Sequence, residues 1–197
     1  MIKNIIEKNR SYRRFFQDQQ ISIDLLKELV NLARLSASAR NLQSLKYMLS
    51  NKKETNEKIF EQLSWAGYLK DWQGPSEGEK PAAYIIIVAD KNISNNLTND
   101  WVYTDFGIAC QSILLGAVET GFGGCILAAI KRKKLRELLY IDERFEILGV
   151  IALGKPKEEI VIDELKLNEN NIKYWRDDNN VHHVPKRNIN EIIIEIN

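Results

Sequence analysis

Cysteine is almost absent from this chain. Only Cys110 and Cys125 occur among its 197 residues. Both lie in apolar surroundings, and their spacing suits neither a zinc site nor a redox pair. A disulfide framework is therefore excluded, and buried, reduced thiols of a cytoplasmic protein are expected. An excess of charge of one sign is also missing: 28 Lys and Arg face 27 Asp and Glu, a net charge of +1. That balance argues against a dedicated nucleic-acid binder. The uncharged run Phe106–Val118 is shorter than the roughly 20 residues that cross a bilayer, so no membrane span is expected. Lys3 and Glu7 interrupt the apolar residues at the N-terminus, leaving no secretory hydrophobic segment. Internal repeats, a P-loop, a GxGxxG and a GxSxG are all lacking.

What remains is enough for a real core. At 44% hydrophobic and 28% charged residues, the chain reads as one domain, or as one subunit of an intertwined oligomer. Its organising stretch is Asp105–Ala129. No charge falls between Asp105 and Glu119, and Phe106, Ile108, Ala109, Cys110, Ile113, Leu114, Leu115, Ala117 and Val118 occupy every side of a helical wheel. A helix apolar all round is a buried one, in a core or a dimer interface. Gly121, Gly123 and Gly124 end it, and a short apolar run, Cys125–Ile130, follows. Ala82–Ala89 and Glu146–Leu153 read as central strands buried on both faces, the second stopped by Gly154 and Pro156.

Around them the periodicity predicts helices over Ile2–Lys8 and from a Ser22 cap to Leu35, the latter with Leu25, Leu26, Leu29, Val30 and Ala33 inward. A strand is expected at Lys46–Leu49, a helix at Glu54–Leu63 with Ile59, Phe60 and Leu63 inward, and a polar loop at Lys91–Asn99. Lys131–Leu139 reads as an amphipathic helix. Its basic start, Lys131-Arg132-Lys133-Lys134, opposes the helix dipole and suits a solvated face. From Lys157 the tail is polar and thin in core residues, which suits a surface-wrapping arm.

Four segments carry chemistry. Arg10-Ser11-Tyr12-Arg13-Arg14-Phe15 is either a solvated basic turn or an extended strand that holds an anion from one side. Ser36–Ser44 is small and polar, with side chains that bond amides and hydroxyls, and reads as a loop or a site. In Trp65–Lys80, three large aromatics lie among Gly67, Gly74, Pro75 and Gly78. This is either a lid or binding loop, or a segment that its tryptophans pin to the core. His182 and His183 point opposite ways on an extended chain, so no shared metal is expected.

Taken in order, these segments resemble the FMN-dependent nitroreductase-like flavoproteins. Arg10-Ser11-Tyr12-Arg13-Arg14-Phe15 is similar to that family's R-S-x-R-x-F, and Ser38-Ala39-Arg40-Asn41-Leu42-Gln43 to its P-S-A-x-N-x-Q-P-W. Asp105-Phe106-Gly107-Ile108-Ala109, with Gly121-Phe122-Gly123-Gly124, resembles its D-x-G-I-A helix and glycine turn. The resemblance implies an α+β fold: a mixed, mostly antiparallel sheet flanked by helices, in an intertwined homodimer with a flavin site at the subunit interface. Residues 1–197 would form a single FMN-binding domain, with 165–197 as an arm wrapping the partner. It also implies FMN contacts from Arg10 and Ser11 at the ribityl–phosphate end, and from Arg13 at the N1/O2 edge, where reduced flavin carries negative charge. Lys186 and Arg187 would complete the phosphate site. Ser38, Ala39 and Asn41 would face the flavin from the other subunit, and the backbone of Leu127, Ala128 and Ala129 would approach N5 and O4 past the glycines. The chain departs from the pattern at Asn9, where a basic residue is common, at Ala37 and Ser44, which replace prolines, and at Ala128-Ala129, which offers no side-chain handle on a substrate.

The function so implied is an oxidoreductase passing hydride from NAD(P)H through the flavin to an electron-poor small molecule of nitroaromatic or quinone type. No protein side chain serves as a catalytic nucleophile or base, because the cofactor carries the chemistry. The alternative is an FMN reservoir, sensor or partner module without turnover. A third, nucleic-acid binding through Lys131–Lys134, conflicts with the neutral overall charge.

Overall fold

The structure, a computed structural model, describes residues 2–69, 71–95 and 98–196. In chain order its elements are α1 (Ile2–Lys8), β1 (Phe15–Phe16), α2 (Ile23–Leu35), β2 (Leu45–Ser50), α3 (Lys53–Phe60), β3 (Ala83–Asp90), α4 (Lys91–Ser94), α5 (Asn99–Glu119), β4 (Gly123–Leu127), α6 (Arg132–Leu139) and β5 (Phe145–Pro156). The tail adds β6 (Ile160–Glu164), β7 (Trp175–Arg176), β8 (His182–Lys186) and α7 (Ile189–Ile192). β2, β3 and β5 pair antiparallel in that order. The far edge of β5 is shared by β4 and β1, again antiparallel. The result is an α+β fold with an antiparallel sheet flanked by helices.

β3 shows why an unbroken apolar run must be central. All eight of its residues are buried, and successive side chains enter different cores. Ile85 and Ile87 pack with Leu26 and Leu29 of α2 and Ala109, Ile113 and Ala117 of α5. Tyr84, Ile86 and Val88 pack with Ile59 of α3, Leu135 of α6 and Trp65. The α2 helix begins where its cap is expected, the Ser22 hydroxyl accepting from the Leu25 amide at 3.1 Å.

Most boundaries agree with the sequence reading to within a residue, and the larger differences have causes in the packing. β5 runs through Gly154 to Pro156, because Gly154 leaves room for the Phe15 ring: a Cβ there would lie 2.7 Å from it. This gap lets β1 join the sheet. α3 ends at Phe60, and Leu63 leaves the helix to form a bridge with Ile130. In the polar loop after β3, the Asp90 carboxylate accepts from the Asn92 amide and caps a single turn, α4; Asn96 and Leu97 of that loop lie outside the described residues.

α5 is 21 residues long, enough to cross a bilayer by length and composition, but half of it is packed inside the fold. Val102, Ala109, Cys110, Ile113, Leu114 and Ala117 face inward. Its own chain does not cover it all round, however: Ile108 is 36% exposed, and Trp101 and Tyr103 are exposed as well. Both cysteines are buried and free. Burial raises both thiols, Cys110 to about 12.

Ile85→Ala and Ile86→Ala test the two-faced sheet. Each is expected to lower the unfolding free energy by about 2–5 kcal/mol in a denaturant titration. A sheet with one wet face would leave one of the two near neutral.

Candidate functional site

The N-terminal basic segment is extended and lies along the glycine turn. Ser11 bridges Gly124 in parallel, and the Tyr12 amide donates to the Gly124 carbonyl at 3.1 Å. Gly123 is what permits this approach, since a Cβ there would meet the Tyr12 ring at 2.5 Å, while Gly124 lets β4 lie close to β5, its Cβ position falling 2.5 Å from the Ala152 carbonyl oxygen. The segment thereby faces α5 on one side and the tail on the other.

Arg13 is buried at that junction. Its backbone N–H donates to the buried carboxylate of Glu158, which also accepts from Arg176 Nη2 at 2.9 Å. Its guanidinium lies 4.9 Å from the centre of the Tyr174 ring, and Nη1 donates to the Ser11 carbonyl at 3.2 Å. The same Nη1 is 3.3 Å from His182 Nε2. A guanidinium can only donate, so Nε2 is the acceptor and the ring proton sits on Nδ1. Burial, with Arg13, Arg176 and His183 nearby, pushes the His182 pKa from 6.5 down to about 4. The imidazole is therefore neutral at physiological pH.

Together these residues wall a cleft of about 330 Å³ in which Arg10, Ser11, Arg13 and Lys186 converge with Gln111, Tyr174 and His182. A second cavity of about 220 Å³ adjoins it through Arg13, Ile126 and Tyr174. Its walls include Trp65, Gly67, Leu127 and Ala129. Three buried donors at these cavities have no partner among the described residues: Arg10 Nε, His182 Nδ1 and Trp65 Nε1. They come from three distant parts of the chain. Such unmatched groups are costly unless a ligand or an ordered water meets them.

Other expected site residues lie elsewhere. Ser38 lines a different cavity of about 270 Å³, between α2, β2 and α5, and shares no wall with the cleft. The buried Asp105 of α5 accepts from the Ser38 hydroxyl at 2.7 Å and the Ala39 amide at 2.8 Å. The turn so anchored is strained, with Arg40, Asn41 and Gln43 at φ of 53°, 54° and 51°. Asn41 and Ala128 are exposed. Arg187 is directed to Asn170 Oδ1 at 3.4 Å and Glu191 at 3.8 Å. Lys186 lines the cleft, so these two neighbours part company at the end of β8.

Tyr174, His182 and Glu158 escape sequence reasoning as site residues. They sit in a tail without periodicity, and only the opposed directions of His182 and His183 were visible. His183 does turn the other way, stacking on Trp175 at 4.2 Å and reaching Asp163 at 3.0 Å. The irregular segment from Trp65 is held from the same tail. The Tyr174 and Tyr68 rings are 4.9 Å apart, and Arg176 lies 4.5 Å from the Trp72 ring. Lys70 of that segment lies outside the described residues.

The fold is that of a known class. The sequence profile of the nitroreductase family matches residues 6–155, and the chain belongs to that family. A protein of Archaeoglobus fulgidus, provisionally named an NADH dehydrogenase/NAD(P)H nitroreductase, is 31% identical over 150 residues, covering 74% of this chain and 80% of its own. A nitroreductase family protein from Streptococcus pneumoniae has a similar fold, with a TM-score of 0.69 at 16% identity and full coverage of both chains. An FMN-dependent nitroreductase from Clostridium difficile is similar with a TM-score of 0.61 at 24% identity, covering 81% of this chain and 89% of its own.

The donor set fits a phosphorylated flavin. The cleft gathers cations suited to a phosphate, and its unmatched Arg10, His182 and Trp65 donors suit a ligand rich in acceptor atoms.

His182 offers a direct check on the electrostatics. Its folded pKa of about 4 lies below the ordinary 6.5, so the unfolded chain binds the proton first as pH falls. Stability is therefore expected to be undiminished above 6.5 and to decline as pH drops towards 4. An NMR titration should place the His182 midpoint near 4. A midpoint near 6.5 would mean that the ring is neither buried nor facing Arg13.

Proposed function

We propose that this chain is an FMN-dependent oxidoreductase. It works as a homodimer, drawing reducing equivalents from NAD(P)H and passing them to an electron-poor acceptor such as a nitroaromatic or a quinone. The observation that carries the reading is the convergence of Arg10, Ser11, Arg13 and Lys186 on one cleft that opens into the Trp65–Leu127–Ala129 cavity. The names of the Archaeoglobus and Clostridium proteins support the choice of nicotinamide and FMN.

FMN, when bound, supplies the redox chemistry: it accepts a hydride equivalent and releases electrons to a second substrate. The chain's own residues bind, orient and polarise. Arg10, Ser11 and Lys186 hold the ribityl–phosphate end, by charge-assisted bonds where the donor is a cation. Arg187 is assigned to the same phosphate, which requires it to exchange its contacts with Asn170 and Glu191. Arg13 cannot drift, because Glu158, Tyr174 and His182 fix it. It supplies a cation where negative charge gathers on the pyrimidine edge. The backbone of Leu127, Ala128 and Ala129 borders the reactive edge, and Trp65 and its neighbours shape the opening and exclude water.

Two features support a site built from two chains. The Ser38–Ala39–Asn41 turn stands apart from its own cleft, so the reading assigns it to the partner's flavin. The exposed Trp101 and Ile108 of α5, two turns apart on one face, leave an apolar strip that a twin helix would cover. We assign residues 1–197 to a single domain and residues 165–197, in which Ile189, Ile192, Ile193, Ile194 and Ile196 are exposed, to an arm lying on the partner. A cytoplasmic setting suits the two buried thiols.

The purified protein is expected to be yellow, to release FMN on denaturation and to oxidise NAD(P)H steadily once an acceptor is added. Bound flavin without turnover would instead indicate a reservoir or sensor, and a colourless protein that cannot be reconstituted would contradict the flavin site. Lys186→Ala is expected to weaken FMN binding about 10-fold or more while leaving riboflavin nearly unaffected, since only FMN offers the phosphate. Equal losses for both flavins in a fluorescence titration would remove Lys186 from the phosphate site.

A further inference from the structure

A further cavity of about 330 Å³ lies on the α3 side of the sheet, and none of its lining residues is shared with the cleft or the adjoining Trp65 cavity. Tyr84 of β3 is among the residues that line it. Tyr84 is 1% exposed, and its hydroxyl is buried with no partner among the described residues. A buried phenol without a hydrogen bond costs about 1–3 kcal/mol. An apolar strand facing Ile59 and Trp65 has no packing reason to carry one, since Phe would fill the same space.

The cavity is preorganised. The Gln17 carbonyl oxygen accepts from the amides of Gly78 at 2.8 Å and Lys80 at 3.1 Å. Asn56 accepts from Ser50 and donates to the Ala82 carbonyl, both at 2.7 Å. The rim charges largely cancel in pairs, Lys80 with Glu77 at 2.8 Å and Lys53 with Glu57 at 3.9 Å. A strongly charged ligand would have to break such a pair, whereas a neutral one leaves both intact. Phe60 supplies a flat apolar wall, with the Lys80 ammonium 5.1 Å from its ring centre.

We propose that this cavity is a second ligand site, for an uncharged planar ring bearing a hydrogen-bonding group, such as an aromatic amide, with the Tyr84 hydroxyl as its partner. The far side of the site is tied to the cleft, because the Phe60 and Trp65 rings lie 5.7 Å apart and Trp65 lines the adjoining cavity. A ring held against Phe60 thus sits one side chain away from the wall of the proposed substrate opening. The proposal does not depend on flavin binding.

The test uses the full chain, labelled with ¹⁵N, and two probes of the same shape: benzamide, which is neutral, and benzoate, its anionic counterpart. Benzamide is expected to shift the amides of Gly78, Lys80, Ala82 and Tyr84, and benzoate to shift those of Arg10, Ser11 and Arg13 instead. Tyr84→Phe is expected to weaken benzamide binding about 2- to 10-fold and to leave the probe-free melting temperature unchanged or higher, because it removes an unmatched hydroxyl. The proposal is overturned by an absence of benzamide shifts at the cavity, by equal affinity in wild type and Tyr84→Phe, or by a lower melting temperature in that variant. The last result would mean that the hydroxyl has a structural partner.

Discussion

The cleft depends on one buried carboxylate. Glu158 accepts from the backbone of Arg13 and from the side chain of Arg176, and so ties the N-terminal segment to the tail at the point where β5 ends. A carboxylate this deep is tolerable only with such partners, and removing one would leave a charge stranded in the interior. Because the Arg13 backbone is gripped, its guanidinium is confined between Tyr174 and His182. His182 in turn must be neutral to lie against it. Four residues from three segments thus hold one cation in place before any ligand arrives, which is the preorganisation that an electrostatic site needs.

A second carboxylate organises the opposite side of α5. Asp105 holds the Ser38–Ala39 turn by two hydrogen bonds, and the strain in Arg40, Asn41 and Gln43 shows that the turn does not adopt this shape unaided. The helix between the two anchors is the rigid spacer. On one flank Leu114 and Gln111 border the cleft, and on another Ala109 and Asp105 border the Ser38 cavity. In the proposed dimer each chain would contribute the first flank to its own flavin and the second to its partner's. The absence of a wholly polar face on α5 then has a physical cause.

Hydrophobic periodicity carried most of the fold. β3, β5 and α2 appear nearly where the sequence reading places them, because burial on one or both faces leaves a pattern in the residues themselves. The boundaries that moved did so for tertiary reasons. Gly154 continues β5 instead of breaking it because the space it leaves is taken by Phe15, a residue nearly 140 positions away. The site was half legible. Arg10, Ser11 and Arg13 were visible as a basic cluster, and Lys186 through the family resemblance. Tyr174, His182 and Glu158 were not, since a buried polar group announces itself by its partners, and those partners are remote in sequence. Trp65 pins its segment to the core, as one of the two sequence readings has it, and also lines the adjoining cavity.

The central claim is that the protein holds Arg13 as a fixed cation against a reducible cofactor. The midpoint potential of bound FMN, compared between the wild type and Arg13→Ala, tests it most directly. Loss of the cation is expected to lower the two-electron potential by roughly 30 mV or more, the equivalent of about a tenfold change in equilibrium. An unchanged potential with flavin still bound would contradict the account.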